Sequence, residues 1–170
     1  MKILSRNILS SLKRGSTVVY PAHGIGVVEK IEKIKTNGTT TSYYTIRIDD
    51  AGMTIKVPAK RAFEIGVRSV IKEREVSKIL KVLKNKNIVK NGMNWHKRQK
   101  SYIDRIKSGS VYELAEILRE LRLIQGKKEL SFGEQRIYDN VRHLIVMEIA
   151  EAKGIEKIQA SKLLEKAFSS

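Results

Sequence analysis

The chain has 170 residues, 41% of them apolar, with a net charge of +16 and no cysteine. That length allows one compact domain or two small ones with a real core. Without cysteine there are no disulfides and no thiolate ligands, and no run approaches the ~20 apolar residues of a membrane-spanning helix. So large a positive excess makes nucleic acid the first partner to consider.

The N-terminal stretch MKILSRNILSSLKRG is short, basic and serine-rich. Its apolar residues are scattered, so residues 1–15 read as a flexible or short helical arm. Thr17–Tyr20 is a short β-branched strand, and PAHGIG (21–26) is a turn. Residues 27–35 alternate apolar and charged side chains with one slip, which a β-bulge would absorb. Asn37-Gly38 is a hairpin turn signal. Beyond it, Tyr44, Ile46 and Ile48 share one face of a strand, and Tyr43, Thr45 and Arg47 the other. Two more strands follow, over 53–58 and 66–71. Short strands at this spacing predict a small, bent antiparallel sheet or barrel.

From residue 73 the period changes. Val76, Ile79, Leu80 and Leu83 line one face of a helix, and 85–92 is a polar loop. Residues 94–109 form a basic amphipathic helix ending at Gly109. Ser110 and Glu113 predict a capping box for a helix whose Val111, Leu114, Leu118 and Leu121 face inward. Ser131 and Glu134 predict a second box, for a helix carrying Ile137, Val141, Leu144 and Ile145. Gly154 breaks that helix and 155–168 is the last. One switch from strands to helices predicts an α+β chain of two domains, over 16–71 and 72–170 behind the arm.

The charge is not spread evenly. Residues 71–109 carry 12 basic and 3 acidic side chains, against 10 and 10 over 110–170. General solubility does not require this asymmetry. Catalytic patterns are missing. His23, His96 and His143 lack metal-type spacing. Gly24-Ile25-Gly26 has no third glycine, and QGKKE (125–129) lacks the first glycine and the hydroxyl of a phosphate loop. The expectation is no enzyme, no cofactor and no metal.

The only tryptophan, Trp95, stands in the basic stripe. Trp95, Tyr102 and Ile106 at i, i+7 and i+11 share a helix face, which fits a core residue. Its first-turn position among His96, Lys97, Arg98 and Lys100 fits an apolar wedge brought to nucleic acid by charge. Periodicity alone leaves both readings open.

Four blocks, TVVYPAHGIGVVEKIE, KVPAKRAFEIGVRSVI, NWHKRQK and LSFGEQR, resemble in order and spacing those of the CarD/CdnL bacterial transcription regulators, from about Ser16 onward. The first half is also similar to the polymerase-interacting module of transcription-repair coupling factor. The resemblance implies an N-terminal Tudor-like β barrel that binds the RNA polymerase β subunit and a compact all-α bundle that touches promoter DNA. The polymerase surface lies on the family's second and fourth barrel strands, which map to Lys33, Ile34, Lys35 and Lys56; the hairpin reading of the sequence puts Ile34 and Lys56 on neighbouring strands. Trp95 maps to a minor-groove wedge at the upstream edge of the transcription bubble, with Lys97, Arg98, Lys100 and Arg136 as DNA contacts. The implied function is stabilisation of the open complex, with low sequence specificity, by a cytoplasmic monomer that reaches the nucleoid through polymerase. A free-standing low-specificity nucleic-acid binder and a protein-interaction adaptor are the alternatives.

Overall fold

The computed structural model describes residues 12–87 and 94–169. Residues 1–11 of the arm and residues 88–92 of the loop lie outside them. The chain divides into two compact units between Val70 and Ile71.

The first unit holds β1 (Thr17–Tyr20), β2 (Gly24–Thr36), β3 (Thr39–Ile48), β4 (Met53–Pro58), a six-residue helix α1 (Ala59–Glu64) and β5 (Arg68–Ser69). They make a five-stranded antiparallel sheet in the order β4-β3-β2-β1-β5. β4 and β5 are its edges, so the ladder is open. The Asn37-Gly38 turn has φ of 49° and 79°, the mirror-image geometry that matches strand twist. The slip in β2 is a register shift between Val28 and Lys30. Gly26 lets β2 approach β3 closely: a Cβ there would stand 2.7 Å from Ile46 Cγ2. Val18, Val28, Tyr44, Ile46, Ile48 and Val57 are buried together with Ala62 of α1. Leu12 joins this core, and the Gly15 amide donates to the Val28 carbonyl at 2.7 Å. The sheet unit therefore takes in residues before Ser16.

Helix α1 is absent from the sequence reading. AKRAFE has no amphipathic period long enough to stand out, and α1 gains its stability by burying Ala62 in the sheet's core. The expected strand over 66–71 shrinks to Arg68–Ser69.

The second unit holds α2 (Glu73–Lys84), α3 (Trp95–Lys107), α4 (Val111–Gln125), α5 (Phe132–Lys153) and α6 (Lys157–Phe168). Val76, Ile79, Leu83, Tyr102, Ile106, Leu114, Ile117, Leu118, Leu121, Val141, Ile145, Ile149 and Leu164 form one core. Polar groups, buried or partly buried, hold its edges. Arg119 donates to the carbonyls of Asn85 (3.4 Å) and Asn87 (2.8 Å), just beyond the C-terminal end of α2. The Glu148 carboxylate accepts from the Ile71 amide at 3.2 Å. Arg142 of α5 reaches Ser161 (2.6 Å) and Glu165 (3.1 Å) of α6. Gly154 takes φ 61°, and the Ile155 amide then donates back to the Ala150 carbonyl at 3.0 Å, the left-handed stop that ends α5.

The two expected capping boxes differ. Ser131 and Glu134 make both bonds. Ser110 accepts from the Glu113 amide, but the Glu113 carboxylate is drawn off to Arg105, which also meets Glu116 and Glu120. A charge-assisted bond outcompetes a neutral cap.

Each unit has its own core, so each should fold alone. Residues 1–70 and 71–170, expressed separately, should give sheet-type and helical far-UV spectra with cooperative melts. Loss of folding in both halves would contradict two independent cores.

Candidate functional site

The Asn94 side-chain carbonyl accepts from the Lys97 amide at 3.1 Å and starts α3 at Trp95. Helical side chains lean toward the N-terminus, so a large residue at the first position overhangs the helix end. Trp95 is partly buried there, while Tyr102 and Ile106 on the same stripe are fully packed. The indole lies along α5. A Cβ placed on Gly133 would stand 2.7 Å from Trp95 Cζ2, so a side chain here would have to push the indole aside.

Two further groups fix the ring. The Arg98 guanidinium sits 5.5 Å from its centroid, and Arg98 Nη2 donates to Glu134 Oε1 at 2.6 Å. The Arg98 side chain is 19% exposed and that of Glu134 2%. The other Glu134 oxygen accepts from the Ser131 amide at 2.9 Å, and Lys128 Nζ stands 3.9 Å from it. One carboxylate thus caps α5 and ties α5 to the first turn of α3. Burial would raise the Glu134 pKa, but the Ser131 amide and Arg98 outweigh it and hold it below the usual carboxylate range. A depressed folded-state pKa stabilises above the ordinary carboxylate value, and the contribution is lost as the pH falls through the folded one.

The other expected DNA contacts are placed differently. Lys97 and Lys100 are exposed, but the helical period puts them on the side of α3 away from the indole. Arg136 is exposed on α5, three residues beyond Gly133, with its guanidinium 5.8 Å from the Phe132 ring. The structure therefore brings Trp95 and Arg98 together with the first turn of α5, and sets Lys97 and Lys100 behind them. Gly133 and Glu134 escaped the sequence reading as parts of the site. The available signal was a glycine in a helical first turn, which costs roughly 0.5–1 kcal/mol against alanine unless something needs the space.

On the sheet, strand alternation divides the four residues mapped to polymerase. Ile34 pairs with Thr41, Glu32 with Tyr43, and Thr45 with both Lys30 and Lys56. These lie on one face, opposite the buried Tyr44 and Ile46. Lys33 and Lys35 alternate onto the other face. Ile34 and Lys56 are not on neighbouring strands, because β3 lies between β2 and β4. Across it, Lys56 Nζ reaches Glu32 at 2.9 Å and lies 5.7 Å over the Tyr43 ring. Lys30 and Lys56 together hold the Glu32 carboxyl below its ordinary range.

Gly133→Ala tests the seat of the indole. Alanine is the better helix former by up to about 1 kcal/mol, so with no indole contact it would stabilise α5. The expected outcome is no gain in melting temperature and a red-shifted emission from Trp95, the only tryptophan. A raised melting temperature with unchanged emission would contradict the seat.

Residues 12–71 match the CarD-like/TRCF RID domain family and residues 78–165 match the CarD, C-terminal domain family. The chain is 29% identical over 145 residues to a Bacillus subtilis (strain 168) protein described as "Putative transcription factor YdeB", covering 85% of this chain and 94% of the relative. With both domain families in order, together spanning most of its length, the chain belongs to the CarD family of transcription regulators.

Proposed function

We propose that the protein regulates transcription by docking its sheet unit on the RNA polymerase β subunit and presenting Trp95 of its helical unit to promoter DNA. The family match to a CarD-like/TRCF RID domain supports the polymerase contact, through a Tudor-like unit. The observation that carries the DNA contact is Trp95 itself: an overhanging, partly exposed indole, braced by Gly133 and Arg98, in the most basic third of the chain. A rigid apolar wedge beside cations is suited to the upstream edge of the bubble in the minor groove, where a base step is already unstacked.

The mechanism is one of differential affinity. Docking on polymerase raises the effective concentration of the helical unit at the DNA. The wedge binds the opened promoter better than the closed one, and only that difference shifts the equilibrium toward the open complex. Lys97, Lys100 and Arg136 are phosphate contacts in this reading, and they carry little sequence information. Arg98 acts on the wedge, since its guanidinium is engaged by Glu134 and the indole ring. On the sheet, Lys56 and Ile34 present the polymerase-facing side, and Lys33 and Lys35 flank it from the other face of the hairpin. The protein acts as a monomer in the cytoplasm, reaching the nucleoid through polymerase, and carries out no catalysis.

Two measurements test this. In DNA-binding titrations across salt concentrations, Lys97→Ala, Lys100→Ala and Arg136→Ala should each flatten the log–log salt slope by about 0.9 per lost duplex phosphate contact. Trp95→Ala should keep the slope, weaken binding, and cost less than the roughly 3 kcal/mol minimum for truncating a fully buried indole. An unchanged slope in all three cation variants would contradict the DNA face. Separately, Lys56→Glu should weaken capture of the β subunit while the helical unit keeps its melting temperature. Undiminished capture would move the polymerase surface elsewhere.

A further inference from the structure

Phe132 is the first residue of α5, immediately before the glycine that seats the indole, and it is 79% exposed. Nothing in α5 requires an aromatic there. Ser131 supplies the cap, and the core-facing positions of this turn are taken by Gly133 and Glu134. An exposed phenyl ring forgoes most of the stabilisation that burial gives, and Phe132 is the most exposed large hydrophobic side chain among the described residues. The ring is not bare: Arg136, one turn on, places its guanidinium 5.8 Å from the centroid.

We propose that Phe132, with Arg136 over it, is a second aromatic contact for nucleic acid, one that stacks on an unpaired base next to the step opened by Trp95. The inference rests on the wedge reading of Trp95 and adds a residue which that reading does not use. Charge selects this partner over an apolar protein surface. Arg136 and Lys128 flank the first turn of α5, and the buried Glu134 carboxylate is neutralised by Arg98 and Lys128. Two further carboxylates lie near this turn: Asp139, which accepts from the Gln135 side-chain amide at 2.8 Å, and the exposed Glu129, set beside Lys127 and Lys128 in sequence. A flat ring with a guanidinium against it offers a base both stacking and cation–π attraction, and a base of any identity has a face to present. The consequence is a preference for DNA with unpaired bases over fully paired duplex.

The test uses the full chain at about 50 mM salt, where phosphate contacts favour binding. Two labelled probes of equal length, a fork with a short unpaired flap and a fully paired duplex, are titrated by fluorescence anisotropy. Loss of a stacked base is worth about fivefold or more in affinity. Phe132→Ala is therefore expected to cut the fork-over-duplex preference at least about fivefold, Phe132→Leu to cut it similarly, and Phe132→Tyr to keep it. The melting temperature checks that each variant is folded. Trp95→Ala is run alongside on both probes. If Trp95→Ala weakens fork binding while Phe132→Ala and Phe132→Leu do not, the wedge stands and the second contact is overturned. If Phe132→Ala weakens fork and duplex equally, or Leu restores the preference, stacking is overturned. If the wild-type chain binds neither probe, or Trp95→Ala has no effect on either, the wedge reading and this inference fall together. If Phe132→Ala impairs only polymerase capture, the ring faces protein and the inference is overturned.

Discussion

The Arg98–Glu134 ion pair holds the candidate DNA face in shape. Its carboxylate is almost fully buried and serves two ends at once, as the cap of α5 and as the partner of an α3 cation. Taking two charges out of water is costly, and a buried pair repays that only with good geometry and further hydrogen bonds. The carboxylate has both, in a 2.6 Å contact and a capping box, while the buried Arg98 Nε makes no hydrogen bond among the described residues. The return is positional. Arg98 lies against the indole and Gly133 lies beneath it, so the angle of Trp95 is set by α5 as much as by its own helix. Removing Glu134 takes the carboxylate from a largely buried Arg98, and removing Arg98 leaves Glu134 with only Lys128 at 3.9 Å and the Ser131 amide; breaking a buried pair typically costs about 3–5 kcal/mol.

The sheet unit uses a different constraint. Strand alternation separates neighbours in sequence onto opposite faces, and a bulge resets that alternation once in β2. Beyond the bulge, Glu32 and Ile34 fall on the solvent side with Lys56 across β3, and the Lys56–Glu32 and Lys56–Tyr43 contacts knit three strands into one patch. A single charge change there alters the patch without touching the core of Val28, Ile46 and Ile48 on the other face.

Much of this was legible in the sequence, and the remainder has identifiable causes. Tyr44, Ile46 and Ile48, the Asn37-Gly38 turn and the inward stripes of α4 and α5 follow directly from periods of 2 and 3.6. Helix α1 did not, because six residues carry too little period. The half-box at Ser110 failed because Arg105, eight residues from Glu113, competes for the same carboxylate. The site was half legible. Trp95 and its cations were visible, but the partner that seats the indole lies 38 residues away on another helix, and no local pattern connects Trp95 to Gly133. The same distance concealed that Arg98 is engaged by Glu134, whereas Lys97 and Lys100 remain free-facing. Family resemblance pointed to Trp95 as the candidate wedge, and packing against Gly133 and Arg98 explains how the indole is held.

The whole proposal reduces to one claim, that this chain binds the opened promoter better than the closed one. Open-complex lifetime on a single promoter, followed after competitor challenge with and without saturating protein, measures that difference directly. The lifetime should lengthen several-fold with the wild-type chain, and Trp95→Ala should return it toward the value for polymerase alone. A lifetime that is the same with and without the protein, under conditions where it is shown to be bound to polymerase, would contradict the account.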